Sequence, residues 1–245
     1  MTIKGVLFDF GNTLISIELD WEKVIPLNIA NMVNYLQSQN LPVDIDPFGK
    51  RFVELKNLKH QLGLQELHEY KSVDILNETF AEFGINHIPD SILEKAVDAF
   101  FYPEESLYTV IPGAHQVLQK LKEKGYKLAL VSNASTGNLV QISMDHRDFT
   151  KYFDVTIISA DIGYRKPHPR IFEMALEQLD LSPQEAVMVG DVPAYDIAGP
   201  KKLGLKTILV KYHESAEAKK QLTEIEPDAL AYKITDIPNI IESWN

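Results

Sequence analysis

The sequence contains no cysteine, which excludes disulfides, thiolate metal sites and cysteine nucleophiles together. Any chemistry must use oxygen and nitrogen groups. It also lacks an apolar run approaching the roughly 18 residues of a membrane span, and Met1-Thr2-Ile3-Lys4 runs straight into an apolar segment without a signal-peptide pattern. A soluble, cytoplasmic protein with no membrane partner is therefore expected. Positive charge is scarce: 24 Lys and Arg stand against 35 Asp and Glu, a net charge of −11. No basic patch offsets that balance, so nucleic acids are not expected partners. What is present is an apolar fraction of 45% in 245 residues, enough for one large domain or a domain with a smaller companion.

The apolar segments fall into two textures. Gly5-Val6-Leu7-Phe8 is a short run of strand formers that stops at the turn-like cluster Asp9-Phe10-Gly11-Asn12-Thr13. From residue 125 onward, similar runs at Lys127 to Val131, Val155 to Ile158, Ala186 to Val189 and Thr207 to Val210 alternate with helical stretches. That alternation predicts βαβ crossovers and a parallel sheet, an α/β fold with a Rossmann-like three-layer core. Two of its helices have clear stops, one running from Pro112-Gly113 to near Gly125 and another from after Tyr195 to near Gly204.

Between Ser16 and Leu107 helical spacing takes over. Asp46-Pro47 reads as a cap and first helical residue ahead of Phe48, Phe52, Leu55, Leu58 and Leu62. Val73, Leu76, Phe80 and Phe83 form a second series ending at Gly84, Ser91-Ile92-Leu93-Glu94 reads as a capping box, and a further helix begins near Trp21 and starts or kinks at Pro26. Residues 16–107 are therefore expected to be a helical-bundle insertion, and residues 1–15 with 108–245 the α/β core. Most of its aromatic residues should be insertion core, with Trp21, Phe48, Phe52, Phe80, Phe83, Phe100 and Phe101 the candidates to line a pocket. Lys23, Lys50, Lys56 and Lys59 read as solvated helix faces, as does the mixed-charge run Glu214 to Lys220.

Open parallel sheets bind ligands beyond the carboxyl ends of their strands. Asp9 follows the first strand, Ser132-Asn133 the strand from Lys127, and Asp191 the strand from Ala186, while Lys166 lies in the loop Gly163-Tyr164-Arg165-Lys166-Pro167. Carboxylates, a hydroxyl and an ammonium should converge on one crevice. Asp9, Asp191 and Asp196 would form an all-oxygen, partly open site suited to Mg²⁺, and the scattered histidines offer no helical pair for zinc. A serine hydroxyl and a lysine ammonium supply what a phosphoryl group needs. Ser132-Asn133 should also help cap the helix that follows, while His168 and Arg170 suit helix-start surface roles and Asn12 has no derivable one.

Phe8-Asp9-Phe10-Gly11-Asn12-Thr13-Leu14, Val131-Ser132-Asn133, the Gly163 to Pro167 loop and Val189-Gly190-Asp191-Val192-Pro193-Ala194-Tyr195-Asp196 resemble the four ordered motifs of the haloacid dehalogenase superfamily. The resemblance covers nearly the whole chain, and residues 16–107 resemble the helical cap inserted after the first motif. It implies a Mg²⁺-dependent phosphatase of a small phosphorylated metabolite, with Asp9 and Lys166 catalytic and Asp9 the nucleophile. Ser132, Asn133 and Lys166 would bind phosphate, and Asp9, the Gly11 carbonyl, Asp191 and Asp196 would hold the metal. One departure matters: phosphatases of the superfamily carry an acid–base Asp two positions after the nucleophile, where this chain has Gly11. Three readings stay open: a phosphatase for good leaving groups, one whose acid comes from the cap or the substrate, and a non-catalytic Mg²⁺ or phosphate-ligand binder. Glu18 or Asp20 is a candidate substitute acid. Dehalogenation and phosphonate hydrolysis are the lesser enzyme alternatives, and an exposed apolar cap face would allow a homodimer.

Overall fold

A computed structural model of the chain describes residues 2–211 and 225–245, so the run Glu214 to Lys220 lies outside the described residues. Its centre is a six-stranded parallel sheet. In chain order the strands and helices that matter are β1 (Gly5–Phe8), β2 (Ile15–Ser16), α1 (Trp21–Ser38), α2 (Lys50–Glu66), α3 (Ser72–Glu82), α4 (Asp90–Glu105) and β3 (Thr109–Val110). There follow α5 (Ala114–Glu123), β4 (Lys127–Ser132), α6 (Gly137–His146), β5 (Val155–Ile158), α7 (Ser159–Ile162), α8 (Pro169–Leu179), β6 (Ala186–Gly190), α9 (Ala198–Leu203), β7 (Lys206–Val210) and β8 (Ala229–Ala231). The sheet order is β5-β4-β1-β6-β7-β8.

Residues of β1 alternate between the two faces of the sheet, as strand geometry requires. Val6 and Phe8 pack with Val117, Leu118 and Leu121 of α5 on one face, and Leu7 packs with Phe172, Ala175 and Leu176 of α8 on the other. Both faces are covered, which explains why the strand segments are uniformly apolar. The chain leaves β1 toward β4 and β5 and later returns on the other side with β6, so β1 lies at the point where strand order reverses. Phe8 pairs in register with Leu130 of β4 and Val189 of β6. The residues that follow these three strands are thereby brought level at one edge.

Helices α1 to α4 occupy the interval between β2 and β3, and those two short strands pair antiparallel, Ile15 against Val110 and Ser16 against Thr109. This ribbon holds entry and exit together. The insertion has its own apolar cluster, built on Met32, Leu36, Phe48, Phe52, Phe80 and Phe100, with Phe52 and Phe100 edge to face at 5.1 Å.

Two local expectations are corrected. A wide turn over Ile45–Gly49 precedes α2, so Asp46 stands in extended conformation outside the helix and its carboxylate pairs with Lys50 rather than capping. Helix α4 starts at Asp90 with Pro89 at the capping position, which leaves Ser91 inside the first turn and no capping box. Pro26 sits inside α1 without ending it. No helix among the described residues is long and apolar enough to cross a membrane.

Candidate active site

Asp9 is the first residue beyond β1, and its N–H donates to the Val189 carbonyl at 2.9 Å, continuing the ladder past the strand end. Its carboxylate is buried and doubly held: Thr13 Oγ1 donates to Oδ2 at 3.1 Å and Lys166 Nζ to Oδ1 at 2.6 Å. The same ammonium reaches Asp196 Oδ1 at 2.7 Å. Lys166 is itself fixed by Asn133, whose Oδ1 accepts from the Lys166 N–H at 2.7 Å and whose Nδ2 donates to its carbonyl at 3.1 Å. This corrects the capping role given to Ser132-Asn133. Helix α6 begins only at Gly137, with Thr136 at its cap, too far along to use either side chain.

Asp191 and Asp196 come from the end of β6 and the turn after it. The Asp196 Oδ2 atom accepts from the Val192 N–H at 3.0 Å, which curls the loop back on the strand. A Cβ on Gly190 would stand 2.3 Å from the Asp196 carboxyl carbon, so a side chain there would expel the carboxylate. Carboxylate oxygens of Asp9, Asp191 and Asp196 lie within 4.8 Å of one another. Three acidic groups thus face one ammonium, and all four are buried. Burial and the charges of Asp9 and Asp196 push the Asp191 carboxyl up to about 8. Burial also raises Asp196, to about 6, against the opposing pull of Lys166. Burial alone would lower Lys166, but Asp196 and Asp9 hold its ammonium firmly charged.

These residues fit a hard divalent cation. The donors are all oxygen, the trio when fully ionised exceeds the ammonium by two negative charges, and Asp191 Oδ2 is buried without a hydrogen-bond partner. A lone buried oxygen of that kind is costly in a folded protein unless a ligand completes it.

Beside the turn that follows Asp9, along Gly11, Ser132 and Asn133, lies a cavity of about 220 Å³. The core lines it with Phe10, Gly11 and Ser132, and the insertion with Trp21, Phe101 and Glu104. Of the seven aromatic candidates, Trp21 and Phe101 reach this cavity and Phe48, Phe52, Phe80 and Phe100 are insertion core. Glu18 and Asp20 are exposed and stand outside its wall, and Asp20 pairs with Lys23 at 2.6 Å. Lys56 also departs from the sequence reading. It turns inward, with its ammonium 5.3 Å from the Phe101 ring centre, and burial lowers it while Glu104 and Glu69 pull the other way.

The insertion is bound to the loops that carry the site. The Ser72 N–H donates to the Ser135 carbonyl at 2.8 Å, the Glu69 N–H to the Gly163 carbonyl at 2.9 Å, and the Arg165 N–H to the Leu67 carbonyl at 3.2 Å. Arg165 and Glu69 are both buried and face each other at 3.8 Å, beside a second cavity of about 100 Å³. Sequence reasoning missed Thr13, Glu104 and Arg165. For Glu104 a signal existed, since Leu93, Val97, Phe100 and Glu104 continue one helical stripe. Asn12 gains a role: it adopts positive φ of 54° and its Oδ1 accepts from the Ile17 N–H at 3.2 Å, shaping the turn after Asp9. His168 caps α8, accepting from the Arg170 N–H at 3.1 Å, and Arg170 pairs with Glu177 on the surface.

Comparison with known proteins agrees with this geometry. The chain is similar to the glyceraldehyde 3-phosphate phosphatase of Pyrococcus furiosus, 28% identical over 98% of this chain and 92% of the relative. It is also 28% identical to the pyrophosphatase PpaX of Bacillus cereus, over 100% of this chain and 99% of that one. Among solved structures, a 2-haloacid dehalogenase from Pseudomonas syringae pv. Tomato superposes with a TM-score of 0.70 at 22% identity, covering 100% of both chains, and shares the fold. The family model for the haloacid dehalogenase-like hydrolases matches residues 3–204, and the chain belongs to that family of hydrolases.

Proposed function

We propose that this chain is a Mg²⁺-dependent phosphatase of a small phosphorylated metabolite, working through an aspartyl phosphate on Asp9. The observation that supports it is the floor of the crevice: three buried carboxylates against one ammonium, at the point where strand order reverses. Such an arrangement has no stabilising purpose of its own and suits a site that gathers a cation and a phosphoryl group. Asp9, Asp191, Asp196 and the Gly11 carbonyl would hold Mg²⁺, which would supply the charge neutralisation a dianionic ester needs to approach a carboxylate.

The protein groups divide the remaining work. Thr13 and Lys166 orient the Asp9 carboxylate for in-line attack on phosphorus. Lys166, held by Asn133, together with Ser132 neutralises and grips the phosphoryl oxygens. Residues 16–107 act as a cap domain over the core of residues 1–15 and 108–245, excluding water and selecting the leaving group. A roof this close favours sugar phosphates, small monoesters and acyl phosphates over folded phosphoproteins. The phosphatase and pyrophosphatase names of its near full-length relatives support phosphorus chemistry over dehalogenation.

The test is phosphate release from a panel of small esters, acyl phosphates and pyrophosphate, with and without Mg²⁺. Turnover that requires Mg²⁺ and falls by about 10⁴-fold or more in Asp9→Asn is expected. No release by a folded, Mg²⁺-binding protein would replace this reading with a ligand-binding role.

A further inference from the structure

The turn after β1 leaves the reaction without a proton donor. Gly11 has no side chain, and a Cβ built on it would meet Ile17 Cδ1 at 3.2 Å. A phosphoryl transfer from an alcohol nevertheless needs a proton at the departing oxygen. We propose that Glu104, reaching down from α4 of the insertion, is the general acid and base of this site. The proposal rests on the phosphatase reading and adds to it the group that protonates the leaving alcohol.

Three observations support the assignment. Glu104 and Gly11 wall the same cavity, together with Ser132. In an in-line displacement the leaving oxygen departs on the side opposite Asp9, away from the strand end, which is the side the insertion roofs. Glu104 is, among the described residues, the sole carboxyl on that wall. Its position is also fixed: Asn28 Nδ2 donates to Oε2 and Tyr108 Oη to Oε1, each at 2.8 Å, and the side chain is buried. The other carboxyls of the roof are committed elsewhere, Glu105 to Arg147 and Glu69 to Ser159 and Arg165. Asn28 from α1, Lys56 from α2 and Tyr108 beyond α4 are the polar groups that face it. Burial raises the Glu104 carboxyl above its ordinary value, with Tyr108, Lys56 and Asn28 opposing.

In the first step an Asp9 oxygen bonds to phosphorus and the P–O ester bond breaks. Its electron pair goes to the leaving oxygen, which takes the Glu104 proton and departs as the alcohol. Water then enters the vacated apical position. The Glu104 carboxylate takes a proton from it as its oxygen bonds to phosphorus, and the bond from phosphorus to Asp9 breaks. Inorganic phosphate leaves, and Asp9 and protonated Glu104 are restored. One group serves both steps because departure and attack use the same side of phosphorus.

Leaving-group dependence tests this. In wild type, Glu104→Gln and Asp9→Asn, with Mg²⁺ present, kcat/KM is measured on glycerol phosphate, whose alkoxide needs a proton, and on p-nitrophenyl phosphate, whose phenolate does not. Glu104→Gln is expected to lose about 10²-fold or more in kcat/KM on glycerol phosphate and under about 5-fold on p-nitrophenyl phosphate. Because water activation is lost too, kcat on the aryl ester should fall and a stoichiometric burst of nitrophenol should appear. Equal losses on both esters without a burst, or no loss on either, would overturn the role of Glu104. If Glu104→Gln fails to fold, Glu104→Asp, which keeps a shortened carboxyl, must still lose more on glycerol phosphate than on the aryl ester. Wild type inert on both esters, or as active after Asp9→Asn, would overturn the phosphatase reading instead.

Discussion

The floor and the roof of this crevice both bury charge, but they balance it differently. On the floor, Asp9, Asp191 and Asp196 share one ammonium, and an oxygen of Asp191 is left without a partner. In the roof two of the three acids face an arginine. Glu105 is paired with Arg147 and receives Ser143 Oγ at 3.2 Å, Glu69 faces Arg165 and receives Ser159 Oγ at 2.9 Å, and Glu104 receives Asn28 and Tyr108. Folding alone accounts for Glu105 and Glu69, because a buried charge facing a partner of opposite charge is tolerable, whereas Glu104 has neutral partners only and stands with the floor. It does not account for a surplus. Unmatched buried charge is where a protein keeps a function, and stability measurements can separate the two sets.

The largest effect should come from the floor's one cation. Lys166→Met removes the ammonium between Asp9 and Asp196 and leaves three carboxylates with none, so stability should fall by about 3–5 kcal/mol as well as turnover being lost. Urea unfolding without Mg²⁺ measures it. Added Mg²⁺ should restore part of the loss, since the cation takes over the neutralising charge; a variant as stable as wild type would show that the three carboxylates do not repel.

In the roof, neutralising an acid that faces an arginine should destabilise. Glu105→Gln breaks the pair with Arg147 in a buried setting and should cost about 3 kcal/mol near neutral pH. Its pH dependence follows from the sign of the shift. Burial alone would raise the Glu105 carboxyl, but hydrogen bonds and charge from Arg147, with His146, hold it below its ordinary 4.5. A lowered folded value means the native state binds fewer protons, so the contribution is complete above that ordinary value and lost as pH falls through the folded one. The gap between wild type and Glu105→Gln should therefore shrink as pH falls below the ordinary 4.5, and a gap that widens there would reverse the assignment.

On the floor the same kind of change should have the opposite sign. Asp191→Asn removes one member of a repelling trio and should stabilise the metal-free protein by about 1–2 kcal/mol, roughly 2–8 °C in Tm for a chain of this size. It should also abolish the stabilisation expected from Mg²⁺ binding to the wild type, about 2.7 kcal/mol at a hundredfold excess over Kd. Removing charge would thus help folding and harm function. Loss of stability in Asp191→Asn would place Asp191 with Glu105 and Glu69.

The same division decides what could be read from the sequence. The floor was legible because a parallel register makes strand ends level, so Asp9, Ser132 and Asp191 had to meet once β1, β4 and β6 were recognised. The helices of the insertion were legible from their apolar period, although two of their starts were misplaced where a wide turn and Pro89 overrode the capping signals. The roof's pairs were not. Glu69 meets Arg165 and Glu105 meets Arg147 across long stretches of chain, and nothing in local spacing reports such contacts. Lys56 illustrates the limit, since its neighbours suggest a wet helix face and only the packing of α2 against Phe101 turns it inward.

The rim should respond least. Asn138 on α6 donates to Asp98 Oδ1 of α4 at 2.7 Å, a contact between core and insertion that water can replace. Asn138→Ala should therefore cost under about 1 kcal/mol, a Tm change of at most about 4 °C, and leave the leaving-group preference unaltered. That small value gives the scale for the other variants: it is the cost of a junction contact carrying neither surplus charge nor a buried partner. A loss near that of Glu105→Gln would mean that the junction itself, rather than the matching of buried charge, holds the insertion over the site.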